Sequence, residues 1–533
     1  MSAAVELLRK GRKDEIWTKY CGFLDLGMEE FLEIQGRLLR EQLNLIGSSG
    51  IARHFFNGET PLTVNEFRDA VPVTSYEDYE PFLAEQNEEL LSEKPLLWAR
   101  TSGRSGRLKW IPYTKQAYVR FGERVLAGVI LASARWKGDV RLKENDVLVY
   151  NTPPRPFISG VALRAVSEHF AFQFVPPLDE TEQLTFQERI EVGFSTALVS
   201  GIDVFGSLAV VLVKMGERFA QGAQTTQISA QMLHPKAMAR LIRGLVRSKL
   251  AGRSMLPKDL WTVKGIPSGG MDASIYKEKI AHYWGVMPYE QYGSTEEGAV
   301  ATQAWNKKGY TFFPDAAFVE FIPEDERIKQ RRRATYVPKT VLLSEVEVNK
   351  RYEVVITNFY GKPLMRYRMH DIVEFTALED EETGIRLPQM KFVGRSNDLI
   401  DLAGFTGLID EKMVWQAIIN TELPFVEWSI RKEVVDGKPI LHLYIELVDA
   451  VDKEKVWYRV HESLGKLNPF YADYATMIED RPLEVTMLPA GTFQAYMQEK
   501  QAAGADLAHL KPPHMNTRDE DIELLLRVRE RVA

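Results

Sequence analysis

The chain has 533 residues, of which 45% are hydrophobic and 26% are charged. Single hydrophobic cores stop growing near about 250–300 residues, so this length predicts at least two domains. The formal net charge is −7 at pH 7. Nucleic-acid binders are more often basic, so we expect no nucleic-acid partner. We interpret the basic run KQRRR at 329–333 as a solvated loop.

Cysteine and apolar content narrow the class of protein further. The single cysteine, Cys21, excludes an intramolecular disulfide, and its amphipathic surroundings favour a buried structural residue. The nine histidines form no close pair with metal-ligand spacing. No apolar run is long enough to span a bilayer, and the first residues lack an apolar stretch of signal-peptide length. We therefore expect a soluble cytoplasmic protein without a membrane partner, and we expect it to be a monomer.

The beginning of the chain is predicted to be mainly helical. Apolar residues recur at three- and four-residue intervals over about 1–46. The segment 71–81 predicts an extended stretch followed by a short helix. Thr74 or Ser75 is the expected N-cap, with Asp78 in the first turn.

Helices and short strands then alternate, which favours an α/β fold. The predicted helices cover residues 115–136, 185–219 and 235–250. The predicted strands cover residues 146–150, 262–266, 318–322, 340–343 and 352–357.

The sequence after residue 395 predicts a separate, compact group of helices and strands. Beyond it the sequence predicts a helix at 410–420, strands at 428–433 and 440–447, and helices at 453–464 and 519–532. This part has the length of one small domain. We therefore expect a large N-terminal domain of mixed sheets and helices at 1–395 and a small α+β domain at 396–533.

The loop TSGRSGRLK at 101–109 combines hydroxyl residues, glycines and a lysine. Glycine lets a backbone approach anionic oxygens, and successive amides can form a nest for phosphate. The candidate phosphate ligands are Thr101, Ser102, Gly103, Arg104, Ser105 and Lys109. The Walker A spacing is absent, and a surface turn without a ligand explains the loop equally well.

The segment YGSTEEG at 292–298 offers an aromatic face for a base, hydroxyls for phosphate and a carboxylate for Mg²⁺. The residues concerned are Tyr292, Gly293, Ser294, Thr295 and either Glu296 or Glu297. A helix N-cap at Ser294 or Thr295, followed by acidic residues of a first turn, is the alternative.

Three later positions add to the set. Asp371, at the end of RYRMHD (366–371), suits ribose hydroxyls, although Arg366 or Arg368 could equally pair with it. Arg395 lies in GRSND at the expected domain boundary. Lys511 is flanked by two prolines, which hold the local chain extended; a lone lysine is ordinarily a solvated residue.

Together these blocks resemble the acyl-adenylate-forming superfamily, which includes acyl-CoA synthetases, luciferases and peptide-synthetase adenylation domains. The chain looks most like the auxin-responsive acyl acid amido synthetases of the Gretchen Hagen type. The narrower resemblance rests on six ordered blocks: PVTSYEDYEPF (72–82), FVEFIPEDE (318–326), VLLSEVEVNKRYEVVITNFYGKPLMRYRMHDIV (341–373), KFVGRSND (391–398), LPAGTF (488–493) and HLKPPHM (509–515).

The resemblance implies a fold, an activity and residue roles. It implies a large adenylating domain and a mobile C-terminal domain that bears Lys511. ATP phosphates would lie on residues 102–105, adenine against Tyr292, the α-phosphate at Thr295 and Mg²⁺ on Glu296. Asp371 would bind the ribose, Arg395 would contact the nucleotide, and Asn397 would lie near the pivot.

The implied reaction joins a small carboxylic acid to an amine, which we expect to be an amino acid. Thioester formation with coenzyme A is the alternative, and a regulator that binds nucleotide without catalysis is a third. Arg104 and His370 depart from the family pattern, which has threonine and glycine there. We expect the helix at 115–136, with Phe121, Val125 and Val129 on roughly one face, to line the acyl pocket. Ordinary core packing explains the pattern at least as well, and the two can hold together.

Overall fold

A computed structural model of the chain describes all residues except 1, 57–59, 101–108, 185, 221–233, 270–272, 334, 397–398, 401, 403–408, 436–437, 469–470, 473–474, 476–480, 504–511 and 533. The chain divides into two compact units. The first consists of Met1–Met369 and Val373–Phe392. The second consists of Val393–Ala533 together with the short piece His370–Ile372.

The α-helices of the first unit are numbered in chain order. They are α1 (Ala3–Arg9), α2 (Lys13–Cys21), α3 (Met28–Ile46), α4 (Gly50–Phe56), α5 (Val64–Ala70), α6 (Tyr76–Leu83), α7 (Lys115–Ser133), α8 (Ile158–His169), α9 (Leu178–Thr181), α10 (Phe186–Ser200), α11 (Ala209–Ala220), α12 (Pro235–Leu250), α13 (Pro257–Leu260), α14 (Ala273–Trp284) and α15 (Glu324–Arg332). Short 3-10 turns occupy Gly22–Asp25, Glu88–Leu90 and Leu343–Glu345.

A small hairpin and one large sheet contain the strands that begin in the first unit. They are β1 (Leu97–Arg100), β2 (Trp110–Tyr113), β3 (Val147–Tyr150), β4 (Gln173–Val175), β5 (Val204–Leu208), β6 (Pro267–Gly269), β7 (Tyr289–Ser294), β8 (Gly298–Gln303), β9 (Tyr310–Phe312), β10 (Ala317–Pro323), β11 (Arg351–Asn358), β12 (Tyr367–Ala377) and β13 (Gln389–Arg395). Strands β1 and β2 pair with each other as an antiparallel hairpin.

The large sheet has the strand order β10-β11-β12-β13-β9-β8-β7-β6-β5-β3-β4. The edge from β4 to β7 pairs in parallel, and its strands alternate with helices as in α/β folds. From β7 through β8 to β9 the pairing is antiparallel, as it is between β10 and β11. The predicted α/β class is therefore confirmed, with a sheet that changes from parallel to antiparallel pairing at β7.

Local signals predicted the start of α6 correctly. Ser75 is its N-cap, and the Asp78 side chain accepts a hydrogen bond of 2.7 Å from the Ser75 amide. This reciprocal arrangement is a capping box, in which a carboxylate satisfies an amide that the helix leaves unpaired.

Four sequence predictions of local structure are wrong. The predicted helix at 185–219 is interrupted by β5, whose sequence VFGSL pairs in parallel with β3 and β6. Residues 262–266 precede β6 rather than forming a strand. Residues 340–343 make only an isolated bridge, between Val341 and Phe321. The basic run at 329–333 belongs mostly to α15, whose acidic first turn complements the helix dipole.

Helix α7 lies in the main core of the first unit. Phe121 and Val129 are buried there, and Val125 packs against them. Core packing of α7 is therefore observed, and its role in lining an acyl pocket stays a prediction. Cys21 is also fully buried, as predicted, and burial raises the pKa of its thiol.

The second unit is an α+β body. Its strands are β14 (Phe425–Val435), β15 (Lys438–Leu447) and β16 (Leu483–Leu488); β14 pairs antiparallel and β16 parallel with β15. Its helices are α16 (Glu411–Ile419), α17 (Lys453–Leu467), α18 (Thr492–Ala502) and α19 (Asp519–Val532). The predicted elements of this region all occur, with strands longer than expected. Within the described residues of both units, no helix is long and apolar enough to cross a bilayer.

Candidate functional site

A lysine and a glutamate from separate sequence blocks meet in the first unit. Lys109 Nζ lies 4.0 Å from Glu296 Oε1. The hydroxyl of Tyr367 lies between them: it donates to Glu296 Oε1 at 3.1 Å and accepts from Lys109 Nζ at 3.2 Å. The Lys109 ammonium also lies 5.0 Å from the ring centroid of Tyr76. Two predicted site residues, Lys109 and Glu296, are thus brought together.

Glu296 is placed by a tight hairpin. Strands β7 and β8 pair antiparallel, and Thr295 to Glu297 form the turn between them. The alternative of a helix N-cap at Ser294 or Thr295 is therefore wrong. Two glycines make the hairpin possible: a Cβ on Gly293 would lie 2.2 Å from the Gly298 carbonyl oxygen, and Gly298 itself has φ +82°.

The two adjacent glutamates have different environments. The side chain of Glu296 is 14% exposed and that of Glu297 only 2%. Glu297 accepts hydrogen bonds from Arg124 Nη2 at 3.1 Å, Asn358 Nδ2 at 2.6 Å and Lys362 Nζ at 3.1 Å. Because buried charges require such partners, Glu297 is a structural anchor. Glu296 is the accessible carboxylate of the turn.

The electrostatics of this anchor follow from burial. Burial raises the pKa of Glu297, and the neighbouring Lys362 and Arg124 oppose the shift. Burial likewise lowers the pKa of Lys362 to about 8, with Glu297 acting in the opposite direction. For Tyr367, burial and then the Glu296 charge raise the pKa, so the phenol remains a proton donor to Glu296.

The other predicted residues of the hairpin are placed as follows. The ring of Tyr292 is buried and stacks on Phe392, with centroids 6.1 Å apart and planes inclined by 30°. The Ser294 hydroxyl lies 3.7 Å from the sulfur of Met369. The backbone carbonyl of Thr295 accepts a hydrogen bond of 2.9 Å from the Tyr113 hydroxyl. Adenine stacking on Tyr292 stays a prediction.

The RYRMHD block sends its two arginines to different glutamates. Arg366 donates to both oxygens of Glu320 at 3.0 Å, and Arg368 forms bonds of 2.8 and 2.7 Å with Glu353. The arginines of this block thus have carboxylate partners other than Asp371.

Asp371 and Arg395 are neighbours in the second unit. Arg395 Nε lies 3.5 Å from Asp371 Oδ1. The preceding residue, His370, has φ +57°, and its carbonyl accepts a hydrogen bond of 2.7 Å from the Ser396 amide. Glycine, which the family resemblance expects at this position, adopts such a left-handed backbone without strain.

Several predicted residues lie outside the described part of the chain. They are Thr101, Ser102, Gly103, Arg104, Ser105, Asn397 and Lys511. Their expected roles stay predictions.

Five residues of the site region were not singled out from the sequence. Tyr76 and Tyr367 flank Lys109, while Arg124, Asn358 and Lys362 hold Glu297. All but Arg124 lie in the sequence blocks that support the family resemblance. The blocks therefore marked these residues as part of the family pattern but did not indicate their individual roles.

Among the described residues of this region, the carboxylate best placed to bind a magnesium ion is Glu296. Among the described residues, no three His, Cys, Asp or Glu side chains form a group that could hold a metal ion. Mg²⁺ bound with a nucleotide needs only one or two protein carboxylates, because phosphate oxygens and water complete its shell. The partly exposed Glu296 fits that requirement, and the enclosed Glu297 does not.

Comparison with known proteins supports the resemblance along the chain. The GH3 family N-terminal domain matches residues 22–172, the central domain residues 310–395 and the C-terminal domain residues 411–520. Indole-3-acetic acid-amido synthetase GH3.10 of Arabidopsis thaliana is 22% identical over 86% of this chain and 87% of its own length. Indole-3-acetic acid-amido synthetase GH3.3 of the same plant is 28% identical over 40% of this chain. That alignment covers 36% of GH3.3, so the chain spans about a third of that relative's length.

The fold agrees with a solved structure of the same family. The GH3.15 acyl acid amido synthetase in complex with 2,4-DB superposes with a TM-score of 0.66 at 18% identity, and the match covers 93% of each chain. Three domain matches in the family's own order, running from residue 22 to residue 520, establish the relationship. The chain therefore belongs to the GH3 family and has the fold of the GH3.15 acyl acid amido synthetase.

Proposed function

We propose that this protein is an ATP-dependent acyl acid amido synthetase. It would activate a small carboxylic acid as an acyl-adenylate and transfer the acyl group to the amine of an amino acid. The observation behind this proposal is the pair of Lys109 and Glu296, a cation and a carboxylate 4.0 Å apart. Glu296 lies on the turn between β7 and β8, and Lys109 ends the loop where the family resemblance expects ATP phosphates. Relatives named as amido synthetases point to the same reaction.

The first half-reaction needs a leaving group on a carboxylate. A carboxylate oxygen attacks the α-phosphorus of ATP, the bond to the β-phosphate oxygen breaks, and pyrophosphate leaves. In the second half-reaction the amine attacks the acyl carbon, AMP leaves with the bonding electrons, and the amine loses a proton. The protein contributes alignment and charge neutralisation, which suffice for phosphoryl chemistry of this kind.

The residues of the first unit divide this work. Lys109 offers a positive charge to phosphate oxygens, and Tyr367 holds the Glu296 carboxylate in place through its hydroxyl. Mg²⁺, when bound with ATP, neutralises phosphate charge, and Glu296 would be its protein ligand. Thr101 to Ser105 would add hydroxyls and amides to the same phosphates. Tyr292 would lie against the adenine.

Asp371 would bind the ribose, Arg395 would contact the nucleotide and Lys511 would supply a further cation. We infer that residues 1–395 and 396–533 act as separate domains, and that the smaller one moves between the two half-reactions. Such movement would exclude water from the labile anhydride. We further propose that the enzyme is a cytoplasmic monomer without a nucleic-acid partner.

Product analysis tests the proposed activity. The enzyme is incubated with ATP, Mg²⁺ and a panel of indole, benzoate and fatty acids, and pyrophosphate release is measured. The most active acid is then offered together with amino acids or with coenzyme A, and the products are identified by mass spectrometry. An amide supports the proposal. Thioester without amide would make the protein an acyl-CoA ligase, and ATP binding without pyrophosphate release for any acid would make it a non-catalytic regulator.

A further inference from the structure

Helix α12 has an exposed apolar face that the proposed chemistry does not use. Its side chains Met238, Ile242, Leu245, Val246 and Leu250 are between 47% and 84% exposed. At about 100° per residue they occupy an arc of roughly 140° on the helix surface, and Lys249 lies within this arc near the end of the helix. Folded proteins rarely leave a contiguous apolar face of this kind to water, and such faces commonly bind a partner.

The opposite face of α12 holds the helix on the first unit. Ala237, Gly244 and Ser248 are buried, and a Cβ on Gly244 would lie 2.5 Å from the side chain of Leu260. The close contact at Gly244 fixes which side of the helix faces the protein. The apolar arc therefore faces away from the core.

Positive charge borders the apolar arc. The helix contains five basic residues and no acidic one: Lys236, Arg240, Arg243, Arg247 and Lys249. Arg240, Arg243 and Arg247 form a row beside the arc and donate to backbone carbonyls of Leu198, Leu260 and Asp259, respectively. Lys236 and Lys249 are exposed. The whole chain has a formal net charge of −7, so this surface is opposite in sign to the chain as a whole.

We propose that α12 is a docking surface for an anionic lipid membrane, on which it lies parallel to the bilayer plane. An apolar face bordered by Lys and Arg is the pattern of interfacial helices, in which apolar side chains enter the acyl boundary and the cations meet lipid phosphates. This association needs no spanning helix. It amends the expectation from sequence that no membrane takes part.

The charge distribution of α12 disfavours two other occupants of its apolar face, a second copy of the helix and the preceding segment 221–233. Two copies of α12 packed face to face would bring two rows of like charge together, which costs free energy. The preceding residues 221–233 contain no charged side chain, so this segment offers no negative charge to the five cations of α12. An anionic surface complements both features, since it accepts the apolar arc and neutralises the basic row.

Vesicle sedimentation of the full-length protein tests the proposal. Binding to phosphatidylcholine vesicles is compared with binding to vesicles of phosphatidylcholine and phosphatidylserine in equal parts. We expect the protein to bind the anionic vesicles and to bind neutral ones at least about tenfold more weakly, with the binding reduced by high salt. Equal binding to both vesicles, or binding to neither, would overturn the proposal.

Paired substitutions identify the surface. The double variant Ile242→Glu/Leu245→Glu and the double variant Lys236→Glu/Lys249→Glu should each lose most of the vesicle binding. Leu62→Glu is the control, because Leu62 is equally exposed but lies outside α12. All variants should keep the melting temperature and the pyrophosphate release of the parent. Unchanged vesicle binding by both double variants would refute the assignment, as would dimerisation of the parent that Ile242→Glu/Leu245→Glu abolishes.

Discussion

The ammonium group of Lys362 donates a hydrogen bond of 2.7 Å to the backbone carbonyl oxygen of Glu296. The same ammonium reaches Glu297 Oε2 at 3.1 Å and lies 3.9 Å from the ring centroid of Tyr113. Tyr113 in turn donates to the carbonyl of Thr295. A fully buried lysine and its aromatic neighbour thus hold the turn that presents the Glu296 carboxylate.

Lys362→Met should therefore destabilise the fold and impair use of ATP. Removing one member of a buried charge network leaves its partners without compensation, which costs about 3 kcal/mol. The free energy of unfolding, measured by denaturant titration, should fall by that order. The KM for ATP should rise in the fraction that remains folded, because the turn is no longer held. Lys279→Met is the control, since Lys279 is an exposed lysine whose loss should change neither quantity; equal behaviour of the two variants would contradict the role of Lys362.

Substitution of the two adjacent glutamates should affect different quantities, catalytic activity for Glu296 and the free energy of unfolding for Glu297. Glu296→Gln keeps a hydrogen-bond acceptor for Tyr367 but removes the charge that a magnesium ion needs, so pyrophosphate release should drop at least about tenfold. Its unfolding free energy should stay within about 1 kcal/mol of the parent. Glu297→Gln should instead lower the unfolding free energy by about 3 kcal/mol, because Arg124 and Lys362 lose a buried partner. A stability loss confined to Glu296→Gln would reverse the assignment of the two residues.

This pair also illustrates how far the sequence alone leads. The ordered blocks predicted the family, the alternation of helices and strands predicted the α/β class, and the residue types of segment 292–298 made it a candidate part of the site. They left Glu296 and Glu297 equivalent as ligands on their own chemistry, since both are carboxylates on one turn. The distinction depends on burial against Arg124, Asn358 and Lys362, and such long-range contacts leave no local pattern.

The errors in local structure have the same origin. Ser294 and Thr295 followed by two glutamates resemble the start of a helix, but pairing of β7 with β8 makes the segment a hairpin turn. Residues 204–208 (VFGSL) lie within a segment predicted to be helical, and pairing with β3 and β6 in the parallel sheet makes them a strand. In both cases tertiary pairing decides between two elements that the sequence allows.

Lys511→Ala should separate adenylation from nucleotide binding. The proposed role of this cation is to neutralise charge that develops on the phosphoryl oxygens, which is largest in the transition state. Pyrophosphate release should therefore fall at least about 100-fold, while the Kd for ATP measured by calorimetry should change little. Lys455→Ala provides a control on the same unit, because Lys455 is an exposed residue of α17. An unchanged adenylation rate would remove Lys511 from the mechanism.

The backbone at His370 predicts which substitutions this position tolerates. With φ +57°, the residue occupies a region that glycine adopts freely and β-branched residues adopt only with strain. His370→Gly should therefore change the free energy of unfolding by less than about 1 kcal/mol, because relief of strain offsets the added freedom of the unfolded chain. His370→Val should lose about 2 kcal/mol. Thermal and denaturant unfolding of the two variants would check this order, and a valine variant as stable as the glycine variant would contradict it.

A second buried cation, the side chain of His514, lies in the second unit. Its Nδ1 is 2.5 Å from Glu411 Oε1, its Nε2 is 2.8 Å from Glu427 Oε1, and its ring stacks on Trp428 with centroids 4.3 Å apart. Trp415 contacts the ring edge-on. Burial acts to lower the pKa of this histidine, but hydrogen bonds to Glu411 and Glu427 outweigh it and raise the pKa to about 9.

The raised pKa of His514 predicts how the stability of the second unit depends on pH. The folded protein holds the His514 proton more tightly than the unfolded chain does. The contribution of this proton to the free energy of unfolding is therefore complete below the unfolded pKa near 6.5 and is lost as the pH rises through about 9. It amounts to about 3 kcal/mol at most. Unfolding free energies measured from about pH 6 to about pH 10, a range that includes both pKa values, should show this decline. His514→Phe keeps an aromatic ring between the tryptophans but removes the charge, so it should be less stable at neutral pH and should lack the decline. His54→Phe, at an exposed histidine, should retain it; a decline that persists in His514→Phe would assign the effect to another group.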